Sequence, residues 1–65
     1  MQIIKLSAGY MLVTNLGSVL FSDAGFNDES GNIELEKNNQ RVFIVASSMS
    51  VEFEKAFIAV GGAIE

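Results

Sequence analysis

The stretch 33–46 reads IELEKNNQRVFIVA and predicts a β-hairpin around which the rest of the fold is organised. Apolar and charged residues alternate in Ile33–Lys37, which is typical of a strand with one face in the core and one in water. Asn38 and Asn39 follow, and asparagine tolerates the left-handed backbone of a tight turn. The segment 41–46 then returns as a second strand. Because this segment is apolar on both faces, we expect it to be central in the sheet or covered on both sides.

The N-terminal third of the chain predicts three more strands in an antiparallel meander. The segments Gln2–Leu6, 10–14 and 18–22 are rich in β-branched and apolar residues, and short turns that contain glycine separate them. Between the meander and the hairpin, segment 23–32 consists mainly of turn-forming residues and predicts the longest loop.

The C-terminal segment fits a helix or a further strand. Residues 50–54 alternate as a strand would. In a helix, Phe53, Phe57 and Val60 share one face at positions i, i+4 and i+7, and Gly61 is a suitable residue to follow the C-cap. We favour the helix, because a serine that can cap its start, the apolar stripe and the glycine after its end all fit the same helical segment.

These segments together predict an α+β fold, in which a small antiparallel sheet of about five strands carries one C-terminal helix on one face. The alternative is an all-β small barrel or sandwich. We expect residues 1–65 to form a single domain, near the lower size limit for a chain that folds on its own core. The predicted core contains Val42, Ile44, Phe53 and Phe57.

The chain lacks two of the residue types that most often act in catalysis, since it contains no histidine and no cysteine. Those residues are frequent general bases, nucleophiles and metal ligands, and cysteine is also needed for a disulfide. Among the serines Ser47, Ser48 and Ser50, a nucleophile would need a base such as Lys55, and 65 residues can hardly enclose a cleft around them. We interpret these serines as a turn and a helix cap, supplied by Ser48 or Ser50. We expect no catalytic residues and no cofactor.

The predicted loop 23–32, called the acidic loop below, partly resembles a calcium-binding loop in the spacing of its polar residues. Asp23 and Glu34 are eleven residues apart, as are the first and last ligands of such a loop, and Asn27 takes the fifth position. However, Gly25 stands where a third-position ligand is needed, and Asp28 stands where a glycine makes the turn. We therefore expect no metal, and a calcium titration that raises the melting temperature by several degrees would contradict this expectation.

The charge pattern argues against nucleic acid and membranes as partners. The net charge is −4, and of the four basic residues only Lys37 and Arg41 are close in sequence, whereas phosphate binding needs a clustered basic face. The longest apolar run, 56–64, includes two glycines and is far shorter than the roughly 20 residues of a spanning helix. No signal-peptide pattern is evident at the N-terminus. We expect a soluble protein of the cytoplasm or of a virion.

Four apolar residues are predicted to lie at an interface: Phe26, Val51, Ile58 and Ile64. Phe26 is the only large apolar residue of the predicted loop. Val51 and Ile58 lie nearly opposite the core stripe of the predicted helix, and Ile64 follows two glycines. The segment 61–65 is read either as a tail that docks on a neighbouring copy or as a frayed helix end.

This apolar excess favours a non-enzymatic structural or assembly subunit that forms a homo-oligomer or decorates a larger assembly. Its hydrophobic content of 49% exceeds what 65 residues can bury, and uncovered apolar patches usually mark interfaces. The alternative is a small acidic protein-binding module or inhibitor. An enzyme, such as a small isomerase working in an oligomeric cleft, is the least supported reading. The expected partner is therefore the chain itself or another protein.

In size and composition the chain resembles the very short, β-rich, cysteine-free accessory proteins encoded in phage genomes. The resemblance extends over length and composition and includes no motif. It implies a role in a virion and assigns no function to any residue.

Overall fold

The computed structural model describes residues 1–65 and contains six strands and one α-helix. The strands are β1 (Gln2–Leu6), β2 (Gly9–Thr14), β3 (Gly17–Phe21), β4 (Asp23–Phe26), β5 (Ile33–Lys37) and β6 (Gln40–Val45), and a short 3-10 helix (Ser47–Met49) leads into α1 (Ser50–Ala59). The predicted α+β class and the C-terminal helix are confirmed. The strands form two three-stranded antiparallel sheets, in the orders β1–β2–β3 and β4–β5–β6, where a single sheet of about five strands was expected.

The tight turns that join these strands have the predicted backbone. Asn38 and Asn39 have φ values of 54° and 64°, so both occupy the left-handed region. Gly9 has a φ of 119°, and a side chain there would meet the backbone carbonyl of Phe21 at 2.8 Å. Glycine is thus required at this turn both by conformation and by the close approach of β3.

Strand β4 was not expected, because segment 23–32 was predicted to be a loop. The chain leaves the first sheet at Ser22, whose N–H donates to the Glu36 carbonyl (2.8 Å), and then pairs with β5 from Asp23 to Phe26. Ala24 is 1% exposed in this strand. Aspartate and glycine are poor strand formers, so the pairing with β5 and the burial of Ala24 override the local preference. The true loop is 27–32.

The expectation that the segment 41–46 is central or covered on both sides is wrong. Strand β6 is at the edge of the second sheet, and Val42 and Ile44 are 41% and 43% exposed. Their predicted burial in the core is therefore also wrong. Ile44 lies opposite Glu34, on the face of β5 that is wet, whereas the buried Val45 lies opposite the buried Ile33. An apolar strand with no polar alternation does not reveal which of its faces points inward.

The core lies between the two sheets and the helix and consists of nine buried residues: Ile3, Leu12, Phe21, Ala24, Ile33, Leu35, Val45, Phe53 and Phe57. Its centre is aromatic. The ring centroid of Phe57 is 5.4 Å from that of Phe53, 5.6 Å from that of Phe21 and 4.8 Å from that of Tyr10. These separations are in the range of favourable aromatic pairs. The predicted burial of Phe53 and Phe57 is confirmed.

The N-terminal end of α1 does not have the predicted serine cap. Met49 is in the N-cap position and makes no side-chain capping bond. The hydroxyl of Ser50 instead donates to the carbonyl of Ser47 (2.9 Å). The 3-10 helix that precedes α1 takes the place of a capping turn, since its tighter bonds lead the backbone directly into the α-helix.

The C-terminal end of α1 closes as predicted, with Gly61 after the C-cap residue Val60. Gly61 has a φ of 90°, which L side chains rarely adopt. Its N–H donates to the Ile58 carbonyl (3.0 Å), and the N–H of Gly62 donates to the Phe57 carbonyl (2.9 Å). Together these bonds form a Schellman motif, which satisfies two carbonyls that the helix end leaves without intrahelical partners.

The last residues turn back onto the chain's own second sheet. The N–H of Glu65 donates to the Ala24 carbonyl (2.9 Å), and the N–H of Phe26 donates to the Glu65 carbonyl (3.1 Å). The tail therefore occupies the outer edge of β4, and Ile64 packs against the core. It is neither frayed nor free to dock on another copy in this conformation.

Candidate interaction surfaces

The surface is notable for its uncovered apolar side chains. Eleven large hydrophobic residues are at least 37% exposed, against nine residues of any kind that are buried in the core. Six of these eleven line two grooves: Phe26 and Val51 line the smaller groove, and Met1, Phe43, Ile44 and Met49 line the larger one. The two grooves are the candidate functional sites of the molecule.

The helix–tail groove, which has a volume of about 350 Å³, lies between β4, the first turns of α1 and the C-terminal tail. It brings together three of the four predicted interface residues, Phe26, Val51 and Ile64, with Glu54 at its border. Phe26 and Val51 are 50% and 64% exposed. Ile64 is half-buried against the chain's own core, so only part of its side chain is available to a partner.

Ile58, the fourth predicted interface residue, does not line either groove. It is 58% exposed and lies seven residues after Val51, which places both on the same face of α1 two turns apart. The exposed side chains of Glu54 and Lys55 lie between Val51 and Ile58 on this face, so Ile58 is an apolar position separate from the helix–tail groove. That the four predicted interface residues form an interface stays a prediction.

The β6 groove is the larger site, with a volume of about 590 Å³, and sequence reasoning missed it. It lies between β2 and β6 and is lined by Leu12, Val13, Phe43, Ile44 and Met49, among others. No side chain that lines it is charged. The sequence contains a signal for this groove in the uncharged residues 42–46. That run also fits a buried strand, and nothing in the residues themselves shows that the strand lies at the edge of a sheet.

The acidic loop is held by its own asparagine. The Oδ1 atom of Asn27 accepts from the N–H groups of Glu29 (2.9 Å) and Ser30 (3.1 Å), and its Nδ2 donates to Glu34 Oε2 (3.1 Å). Arg41 also contacts Glu34, at 3.5 Å, in an exposed ion pair of the kind that adds little stability. No group of three or more histidine, cysteine or acidic residues lies close enough together to hold a metal ion.

Comparison with known proteins gives no family. No protein-family model matches the chain, and no curated protein or solved structure is significantly similar to it. No helix combines the length and the apolar character needed to cross a bilayer. The two grooves are therefore the observations on which a function can be argued.

Proposed function

We propose that this chain is a non-enzymatic structural subunit that assembles by binding copies of itself. The observation that carries the proposal is the amount of apolar side chain left uncovered by a single copy. Eleven large hydrophobic residues face solvent to at least 37%, and six of them are grouped in the two grooves, four in the β6 groove and two in the helix–tail groove. Exposed apolar surface grouped in this way usually marks a protein–protein contact.

The energetics of so small a domain support assembly. Burying one large apolar side chain contributes about 1.5–3 kcal/mol. The whole stability of a domain is about 0.05–0.15 kcal/mol per residue, which gives roughly 3–10 kcal/mol for 65 residues. Covering two or three exposed side chains therefore adds an amount comparable to the stability of the isolated chain. Folding and assembly should then be coupled.

The first test is the dependence of the melting temperature on concentration. An assembly that binds only folded chains raises the melting temperature as the protein is concentrated, by mass action. We expect the midpoint of thermal unfolding, followed by circular dichroism, to rise by several degrees over a hundredfold increase in concentration. A midpoint that does not change on dilution would contradict self-assembly.

A small acidic protein-binding module is the second candidate function, and the helix–tail groove is the observation that favours it. The groove combines the apolar side chains of Phe26 and Val51 with the carboxylate of Glu54. With a net charge of −4, the chain would attract a basic partner that places an apolar residue beside a lysine or arginine. A chain that stays monomeric and melts independently of concentration would favour this second function over the first.

A further inference from the structure

The second sheet has one occupied edge and one free edge. The tail covers the outer side of β4 through the two hydrogen bonds of Glu65, whereas no strand of the chain pairs with the outer side of β6. An unpaired strand edge presents a row of backbone donors and acceptors that another strand can satisfy. Strand β6 is thus the place where this sheet can be extended.

The C-terminal half of strand β6 lacks the features that protect natural sheet edges. Such edges carry charges, prolines or bulges that prevent pairing. In β6 the only charge is Arg41, and the register shift relative to β5 leaves Val42 as an extra residue between Arg41, which lies opposite Glu36, and Phe43, which lies opposite Leu35. From Phe43 to Val45 the strand is apolar, regularly paired with β5 and free of proline and glycine. The edge is therefore competent to pair over its C-terminal half, residues 43–45.

We propose that two copies of the chain pair antiparallel along β6, so that the sheets β4–β5–β6 of both copies join into one six-stranded sheet. This inference rests on the proposed function and specifies its contact surface. Two-fold symmetry is the commonest arrangement of homo-oligomers, and it makes the same strand meet itself in opposite directions. Strand addition at a free edge is a recurrent mode of recognition, in which backbone bonds give affinity.

Of the two grooves, the charge distribution favours the one beside β6 for contact with a second copy, and it also favours the antiparallel direction. All eight acidic residues lie outside β6 and outside the lining of the β6 groove, so two copies with a net charge of −4 can meet there without opposing carboxylates. Contact through the helix–tail groove would instead bring the Glu54 carboxylates of both copies close together. Antiparallel pairing places Arg41 of each copy beside the apolar end of the other, whereas parallel pairing in register would oppose the two guanidinium groups.

Other strand edges are less suited to this contact. Strand β1 carries Lys5, whose Nζ lies 5.0 Å from the centroid of the Tyr10 ring. The N-terminal amine that precedes β1 is paired with Glu52 of α1 at 3.3 Å. Strand β3 leads directly into Ser22, which is bonded to the second sheet at Glu36. Each of these strands is thus charged or tied to a neighbouring element, whereas residues 43–45 of β6 are neither.

Disulfide trapping tests the proposed register directly, because the chain has no cysteine of its own. The single variants Val42→Cys, Phe43→Cys and Ile44→Cys should form covalent dimers under mild oxidation, with a maximum at one position and lower yields on either side. In a symmetric antiparallel pair, a residue lies opposite the same residue of the other copy only near the two-fold axis. A single cysteine can therefore form a disulfide with its own counterpart only at that place. The control Leu16→Cys has a fully exposed side chain in a turn and should cross-link slowly. Equal yields at all four positions would overturn the proposal.

A charge on the edge gives the second test, independent of cysteine chemistry. Ile44→Lys should reduce the assembly to single chains, and its circular dichroism spectrum should stay that of the folded chain because Ile44 is 43% exposed. The matched control Leu20→Lys changes a residue that is 46% exposed on β3, and should leave the mass of the parent assembly unchanged.

The outcomes separate this inference from the function on which it rests. If the parent assembles and Ile58→Lys dissociates it while Ile44→Lys does not, the helix face is the contact, the β6 pairing is overturned and the proposed function stands. If the parent is a single chain at every concentration, both are overturned. If only Ile44→Lys dissociates the parent, the β6 pairing is supported.

Discussion

Phe53→Ala is expected to lower the free energy of unfolding by about 3–5 kcal/mol. Phe53 is 0% exposed, and its ring centroid lies 5.4 Å from that of Phe57 and 6.0 Å from that of Phe21. Truncating a buried phenylalanine to alanine costs about 3–5 kcal/mol, through lost transfer free energy and the cavity left behind. That loss is a large part of the roughly 3–10 kcal/mol expected for a domain of this length. Urea denaturation followed by circular dichroism measures it.

Leu16→Ala is the matched control for this truncation. Leu16 is 101% exposed in the turn between β2 and β3, so its removal leaves no cavity. We expect its free energy of unfolding to stay within about 0.5 kcal/mol of the parent's. If Phe53→Ala were as stable as Leu16→Ala, the aromatic cluster would not be the core of the fold.

Gly62→Ala is expected to destabilise the chain more than Gly61→Ala, although the two glycines are neighbours. A Cβ atom on Gly62 would overlap the buried ring of Phe57. Overpacking of this kind costs about 1–3 kcal/mol, and more where the neighbour cannot move. A Cβ atom on Gly61 would meet open space, and the cost there comes from its φ of 90° alone, about 1–2 kcal/mol. The free energies of unfolding of both variants give the comparison.

A double-mutant cycle identifies the ring as the cause. Phe57→Leu removes two of the three ring atoms that the new methyl group would strike, Cε1 and Cζ, so Gly62→Ala should cost less in that background than in the parent. Gly61→Ala should cost the same in both backgrounds. If the cost of Gly62→Ala were unaffected by Phe57→Leu, the close approach of the tail to the helix would not be the reason for this glycine.

The elements that the sequence predicted correctly are those whose signal is local. The alternation in Ile33–Lys37, the two asparagines of the hairpin turn, and the spacing of Phe53 and Phe57 each depend on residues a few positions apart. Periodicity and turn chemistry report such features directly. The closure of the helix at Gly61 belongs to the same class, since the bonds of the motif span six residues.

The features that could not be predicted depend on how the strands are ordered. Strand β4 forms because Asp23–Phe26 is brought beside β5, and its composition alone favours a turn. The exposure of Val42 and Ile44 follows from the position of β6 at an edge, which the sequence of that strand does not encode. The N-cap was misassigned because Ser50 has a competing acceptor in the carbonyl of Ser47.

The candidate sites can likewise be divided into features with a local sequence signal and features that depend on how distant segments pack. Three residues chosen from the sequence because they would be apolar and uncovered, Phe26, Val51 and Ile64, do line one groove. The sequence could not indicate that Ile64 would be half-buried by its own chain, since the docking of the tail on β4 joins residues about forty positions apart. The β6 groove combines residues of β2 and β6 and becomes visible only when the two sheets are packed.

Self-assembly is the central claim, and the mass of the folded protein in solution tests it most directly. Size-exclusion chromatography with light scattering, run over a range of concentrations, should give at least twice the 7.0 kDa mass of one chain at high concentration, with the mass falling on dilution. The Ile44→Lys variant should give the mass of one chain throughout. A parent protein that is folded and has the mass of a single chain at every concentration would contradict the claim.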